Sequence, residues 1–593
     1  MATLLRALLA SLILMPVCGC SGQSDSSASG PEAHRPAGSG NSSDSVIPDW
    51  FTDHASAAGL DFVHSNGMSG RFYMPEIMGS GVGLLDFDND GDLDVYFPQG
   101  YALGLADNGR AQSRGAADGA SRGRLYRNDL TVRADGTRAL RFVDVTEQSG
   151  IVAREYGMGV AVGDIDNDGW VDVYLTNFGH NQLFRNLGNG TFVDVSKRSG
   201  TDHQGWSVSA SFVDYDRDGL LDLFLGNYLL YSTETDKACH SGAGTRNYCG
   251  PEMYRAEPDR LFRNVGGGRF VDVTETSLVG RSVGAALGVV AADYNGDGWI
   301  DIYVANDGSE NHLWVNQRNG TFTNTALVAG AAMPLEGQPE ASMGVDAGDF
   351  DNDGDEDLLM TELSGEGSNL YVNDGTGVFE DRSAASGLGP ATLRYTGFGA
   401  AWFDFDNDGW LDMLSANGLV GAVGLQRSSG AFPYAQRLTL FHNLGTGRFE
   451  SVADRAGAVF QKTAVGRGVA FGDIDNDGDT DVIVANDGGA AQLLMNDHPT
   501  RGHWVGLRLV GARAPRDMVG ARVAVVTAEG RTLWRRARAD GSYASSNDPR
   551  VLVGLGESAG AVTVRVRWPS GDSDEWRGVA AGGWTTLREG TGR

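Results

Sequence analysis

Short apolar runs bounded by Asp, Asn and Gly recur along the chain, among them VDVYLTN (171–177), LDLFLGN (221–227), IDIYVAN (300–306) and TDVIVAN (480–486). Runs this short, rich in β-branched and aromatic residues, predict buried strands. A second pattern recurs in step with them: LFRNLGNGTFVDV (183–195), LFRNVGGGRFVDV (261–273), LWVNQRNGTFTNT (313–325), LYVNDGTGVFEDR (370–382) and LFHNLGTGRFESV (440–452). Each predicts two strands around a tight turn, because the NG, GG and TG steps supply the positive φ that hairpins require. A divergent copy runs from LYRN (125–128) to RFVDV (141–145), and WFTDHASAAGL (50–60) matches only its second half.

An acidic loop precedes each buried run, as in DIDNDGWVD from Asp164. Seven loops share this spacing. Position 1 is Asp86, Asp164, Asp214, Asp293, Asp349, Asp404 or Asp473, and position 3 is Asp88, Asp166, Asp216, Asn295, Asp351, Asp406 or Asp475. Position 5 is Asp90, Asp168, Asp218, Asp297, Asp353, Asp408 or Asp477, and position 9 is Asp94, Asp172, Asp222, Asp301, Asp357, Asp412 or Asp481. Carboxylates this crowded call for water or a cation. Hard Ca²⁺ takes six to eight oxygens, and the glycine at position 6 permits a turn that wraps them around it, so about seven calcium ions are expected. Asn295 keeps an oxygen but loses a charge, which makes the fourth loop the weakest. An EF-hand would need Glu at position 12; that place holds Phe97, Leu175, Leu225, Val304, Met360, Ser415 and Val484.

One period therefore comprises a glycine-rich apolar strand, the acidic loop, a buried strand and a hairpin, which is one propeller blade. Loop starts lie 78, 50, 79, 56, 55 and 69 residues apart, close to blade periods once insertions are allowed. The expected fold is all-β, a seven-bladed β-propeller over 47–500 with a small β-sandwich-like domain over 501–593. The strand near residue 50 completes the last blade and closes the ring, which protects the sheet edges.

The formal charge of −30 argues against nucleic acid, which needs clustered Lys and Arg. The N-terminus MATLLRALLASLILMPVCGC pairs one Arg with a short apolar run and small residues before a cysteine, the form of a signal peptide. VCGC resembles a lipobox, so Cys20 is the expected lipidation site, 1–20 the leader and 21–46 a Ser/Gly-rich tether. This predicts an exported lipoprotein, on an outer membrane or cell surface. Cys239 and Cys249 remain, inside the longest insertion, placed between the third and fourth blades; an oxidising compartment favours a disulfide.

Phrases such as GVAVGDIDNDGWVDVYLTN and LFRNLGNGTFVDV resemble the FG-GAP or VCBS repeats of integrin-like propellers. HWVGLRLVG (503–511), VGARVAV (519–525), GSYASSNDPRVLVGLG (541–556) and VRVRWPSGD (564–572) resemble the ASPIC/UnbV domain, with Ser546 standing where a Gln is expected after Ser545. Repeats and tail together are similar to the cartilage acidic protein-like family and its bacterial lipoprotein forms.

No HExxH, Walker loop or CxxC is present, and no catalytic residue is assigned. GSGVG (79–83) predicts a strand packed close to its neighbour. Trp170, Trp299 and Trp410 share one place after the loop glycine, which indicates packing, and His180, His312 and His442 fall in or beside repeat strands, where a structural role is expected. A ligand site is expected at the central opening, on a rim, or in the non-repeated stretches 62–81, 239–255 and 418–437. The function expected is a calcium-binding surface scaffold for a protein or glycan partner, the alternative a lyase-like or accessory protein of a biosynthetic pathway, by analogy to UnbV-type proteins.

Overall fold

Every acidic loop is the turn between the first two strands of a four-stranded antiparallel meander. The computed structural model describes residues 49–104, 123–240, 244–421, 434–514 and 516–593. In the second meander Tyr156–Gly163, Asp172–His180, Gln182–Asn186 and Phe192–Asp194 pair in chain order. The inner strand YGMGVAVG is buried throughout, whereas the outer FVD alternates between buried and exposed. That gradient follows from position: the inner strand is flanked by the inner strands of both neighbouring meanders, and the outer one faces water.

Among the described residues seven such meanders follow one another, and the last draws its fourth strand from the N-terminal side, where Phe51–Asp53 pairs with Gln492–Asn496. Each inner strand packs against the next around a ring, with Gly466–Gly472 returning to Gly83–Leu85. The propeller is closed by the N-terminal strand, as the half-hairpin at residue 50 predicts. A four-residue helix follows most outer strands, as at Thr146–Ser149 and Ser196–Ser199. It is set by an aspartate in the strand, such as Asp194, whose Oδ1 accepts from both the backbone N–H and the hydroxyl of Ser196; the apolar pattern carries no sign of it.

The cysteine insertion lies elsewhere than expected. It sits within the third meander, between Asp222–Asn227 and Arg260–Asn264, because the hairpin that follows it pairs back onto the strand preceding it. Cys239 and Cys249 are joined by a disulfide. The leader, Cys20 and the tether lie outside the described residues, as do 422–433 of the third non-repeated stretch. Among the described residues no helix is long and apolar enough to cross a membrane.

The C-terminal region forms a three-stranded sheet, in which Trp584–Arg588 runs parallel to His503–Val510, and a four-stranded sheet. Val505, Leu507, Val523, Val564 and Trp568 form one core between them, the small sandwich expected over 501–593. It belongs to the same compact unit as the propeller, Pro48–Arg593. Between its strands Thr532–Arg536 and Val551–Gly556, residues 539–548 enter the propeller's central channel and meet all seven inner strands. Ser546 O accepts from Leu84 N, Ala544 O from Val160 N, and Ser542 O from Val345 N. Asp540 Oδ2 accepts from Ser211 Oγ and Ala291 N, Asn547 Oδ1 from Phe471 N, and the Tyr543 ring meets Phe398 edge-on at 4.9 Å. A Cβ on Gly83 would stand 2.8 Å from Val160 Cγ1 of the neighbouring inner strand, the close approach that the GSGVG run predicts, and one on Gly81 1.7 Å from Ala544 O of the tail. The central opening is therefore filled by the chain itself and is not the ligand site that propeller geometry suggests.

Tyr543 is fully buried and donates to Met78 O at 3.1 Å. Tyr543→Ala is expected to cost about 3–5 kcal/mol in denaturant unfolding, and Tyr543→Phe, which loses only that hydrogen bond, about 0.5–1.5 kcal/mol.

Candidate metal centres and the opposite face

The acidic loops share one backbone. Position 4 is left-handed in every case: Asn89, Asn167, Arg217, Asn352, Asn407 and Asn476 have φ between 57° and 61°, and Gly296 has 66°. The position 6 glycines, Gly91 to Gly478, also have positive φ. Asn tolerates this region better than most residues, which accounts for DND in five of the loops. The position 1 carboxylate is folded back onto the turn, as where Asp164 accepts from Asp168 N at 3.1 Å and Gly169 N at 2.8 Å.

Position 9 does different work. Asp94, Asp172, Asp222, Asp301, Asp357, Asp412 and Asp481 are at most 1% exposed. In each, Oδ2 accepts from the backbone N–H of position 2, and Oδ1 from the N–H of the Asn that ends the third strand; for Asp172 these are Ile165 at 3.0 Å and Asn186 at 2.7 Å. The same asparagines reach the previous meander. Asn128, Asn186, Asn264, Asn316, Asn373, Asn443 and Asn496 each donate Nδ2–H to the position 2 carbonyl of the preceding loop, at 2.8–3.1 Å, and Asn128 closes the circle on Ile474. The recurring LFxN spelling was the visible signal for this staple, but its partner lies in another repeat.

Positions 1, 3 and 5 face one another. Carboxylate oxygens of Asp86, Asp88 and Asp90, of Asp214, Asp216 and Asp218, and of Asp349, Asp351 and Asp353 lie within 4.8 Å in each set; in the second loop the set is Asp164, Asp166 and Asp172. Asp86 Oδ1, Asp88 Oδ1, Asp166 Oδ1, Asp216 Oδ1, Asp293 Oδ1, Asp349 Oδ2 and Asp351 Oδ1 are buried with no hydrogen-bond partner. Buried acceptors without donors are costly, and a hard cation satisfies them, so the residues fit Ca²⁺. Burial, reinforced by neighbouring carboxylates, raises Asp164 to about 6, Asp214 and Asp473 to about 7 and Asp404 to about 8.

The loops differ in the company they keep. Arg185 pairs with Asp166 and Asp168 at 2.5 and 2.7 Å, Arg263 with Asp216 and Asp218 at 2.6 and 3.3 Å, and Arg501 with Asp477 at 2.6 Å. In the first loop Arg127 turns to Asp129 instead, and in the fifth Val372 takes that place.

The sandwich covers this loop end. It holds 15 of the chain's 47 Lys and Arg, all of them arginine, but only 9 of its 77 Asp and Glu. Arg516 donates to Asn89 Oδ1, Arg531 to Asp408 O and Arg550 to Asp473 O at 2.6–2.8 Å. Position 4 side chains also donate to the position 6 carbonyl of the next loop, as from Asn89 to Gly169 O at 2.8 Å. Gly296 has no side chain to do so, and Arg522 of the sandwich serves Gly354 O in its place. Asp164, Asp214, Arg513, Arg516 and Met518 line a cavity of about 390 Å³ at this junction.

Strand direction puts the non-repeated stretches at the other end of the propeller, and the structure brings them together. Phe72 meets Tyr248 at 5.1 Å, Arg246 donates to Arg71 O at 3.1 Å, and Arg467 donates to Ile77 O, Gly418 O and Leu419 O. Arg467 is fully buried over the Phe398 ring, and burial lowers it to about 10. Glu76, His64 and Asp487 lie beneath these loops, none more than 3% exposed, and burial raises Glu76.

Residues 511–593 match the family described as ASPIC and UnbV, and 164–225, 249–304, 293–360, 349–415 and 428–484 match the FG-GAP-like repeat. The chain thus carries FG-GAP-like repeats followed by an ASPIC and UnbV domain. It is similar to Cartilage acidic protein 1 of Mus musculus, 29% identical over 299 residues, 49% of this chain and 42% of that protein. For the Homo sapiens protein the values are 27% over 168 residues, 27% and 24%, so the match spans less than half of these relatives. A structure of an Agrocybe aegerita lectin recognising non-reducing terminal N-acetylglucosamine superimposes with a TM-score of 0.34 at 15% identity, over 71% of this chain and 95% of that one. A structure of YCF48 bound to D1 peptide gives 0.37 at 8% identity, over 76% and 96%.

Asp172→Asn replaces an acceptor by a donor facing a backbone N–H and is expected to cost about 1–3 kcal/mol by denaturant unfolding in chelator, where Asp166→Asn changes little. With folded pKa values raised to about 6–8, the chelated protein binds more protons folded than unfolded. Its stability is expected to be greatest below the ordinary carboxylate range and to fall as pH rises through 6–8, read as melting temperature in chelator against pH.

Proposed function

We propose that this protein is an exported, calcium-stabilised propeller scaffold, held to a membrane by a lipid on Cys20, that offers its non-repeated loops to a protein or glycan partner. The observation that carries the reading is the set of buried, partnerless carboxylate oxygens at positions 1 and 3. Calcium would neutralise them, with positions 1, 3 and 5 as ligands and position 9, whose oxygens also accept from backbone, joining them as where Asp172 lies with Asp164 and Asp166. The first and fifth loops should bind most tightly, since no arginine of the adjoining strand sits on their position 3 and 5 carboxylates. In the second and third loops Arg185 and Arg263 must give way.

The disulfide in the third meander supports an oxidising compartment. The partner surface is argued from what remains open: the sandwich covers one end and fills the channel, leaving the converging loops, with Leu230 and Met253 exposed beside the Tyr231 and Tyr254 rings. The alternative, a lyase-like or accessory pathway protein, would draw on the His64, Glu76 and Asp487 cluster. Its burial beneath the loops keeps a substrate from these groups in this conformation; His64 pairs with Asp487 at 3.3 Å and Glu76 accepts from Ser69 N and Oγ, while His64 Nε2 and Glu76 Oε2 have no hydrogen-bond partner among the described residues.

Calorimetric titration of residues 46–593 with calcium is expected to show several sites that raise the melting temperature, each worth about 2.7 kcal/mol at a hundredfold excess over its Kd. Asp351→Ala should remove one of the tightest sites and Asp168→Ala should destabilise its blade; identical melting with and without calcium would refute the reading. Radiolabelled fatty acid incorporated by the full chain and lost in Cys20→Ala tests the anchor.

A further inference from the structure

In the meanders that follow the acidic loops, the residue before the stapling asparagine is Arg127, Arg185, Arg263, Val315, Val372, His442 and Met495 in turn. Arg185 and Arg263 show what this position addresses, since both reach the position 3 and 5 carboxylates of their own loop. His442 is the one residue of the seven whose side chain offers a nitrogen lone pair. We infer that His442, Asp406 and Asp408 form a transition-metal site that prefers a zinc-class ion to calcium.

His442 Nε2 stands 3.4 Å from Asp406 Oδ2 and 3.7 Å from Asp408 Oδ2, and the three ligand atoms lie within 4.8 Å of one another. Both are ion-pair distances open to a protonated imidazole, longer than the usual hydrogen bond of about 2.7–3.2 Å. They suit the edge of a tetrahedron: two atoms each about 2.1 Å from a tetrahedral ion stand about 3.4 Å apart. Nε2 is buried without a hydrogen-bond partner, so it points at the two carboxylates with nothing between. The ring is held in that aspect by Phe405, which meets it edge-on at 5.7 Å. Calcium and magnesium take oxygen ligands, whereas a mixed imidazole and carboxylate set suits zinc-class ions. His442 is thus more than the structural residue its place in a repeat strand suggests.

The inference rests on the reading that these loops hold cations, and its test separates the two. Residues 46–593 in excess calcium are titrated with Zn²⁺ by calorimetry, and separately with Co²⁺, followed by its visible ligand-field bands. The expected result is one zinc equivalent retained against calcium, and one cobalt equivalent with the intense bands of a low-coordinate site containing nitrogen. His442→Arg, which places in this loop the residue three sister strands already carry, should keep the fold and any calcium uptake elsewhere while losing that equivalent and those bands. Zinc binding unchanged in His442→Arg, or zinc fully displaced by calcium, overturns the inference and leaves the calcium reading intact. Zinc retained by His442 in a chain that takes up no calcium supports the inference and removes the calcium reading.

Discussion

The propeller hangs on a pair of hydrogen bonds made by one buried carboxylate. Each position 9 aspartate ties the start of its loop to the end of its third strand, and the asparagine at that strand end ties the whole meander to the loop before it. Burial raises these carboxyls far above the ordinary carboxylate range, so each bond contributes about 0.5–1.5 kcal/mol, as an ordinary hydrogen bond does, and here the geometry is repeated around a closed ring. The asparagine side chain must sit at the junction of two meanders, so the spacing from acidic loop to hairpin tolerates insertions between them but not a change in either end. This is how the third meander accommodates the disulfide-bearing loop between its second and third strands without losing register.

The two ends of the propeller are closed by different means. At the loop end, an arginine-rich sandwich lies on an aspartate-rich surface, and its 539–548 segment fills the channel from that side. At the other end, the non-repeated stretches fold over the channel and meet the segment where Tyr543 touches Met78 O. A scaffold with its channel filled has its variable surface confined to loops and rims, which is where insertions on a repeat are cheapest.

One loop pattern is also set in several electrostatic surroundings. An arginine from the next hairpin, a histidine, or an aliphatic residue faces the same carboxylates, and the sandwich adds further arginines from above. Burial raises the position 1 carboxyls in most loops, so the loops are built alike but cannot be expected to bind alike.

The acidic loops, the strands that follow them and the hairpins were legible in the chain because each is local: a turn needs its glycine and asparagine, a buried strand its β-branched run, within about nine residues. Closure by the strand near residue 50 was legible too, since half a hairpin with no partner must find one. Three features depended on distance and were decided only by tertiary structure. The cysteine insertion belongs to the third meander because Arg260–Asn264 pairs back across it. The LFxN asparagine staples because its carbonyl partner stands roughly 80 to 100 residues earlier, or at the far end of the chain for Asn128. The tail fills the channel because five of the inner strands offer it backbone N–H groups, at Leu84, Val160, Ala291, Val345 and Phe471, and the other two meet it through Ser211 Oγ and the Phe398 ring, a complementarity that no stretch of sequence contains by itself.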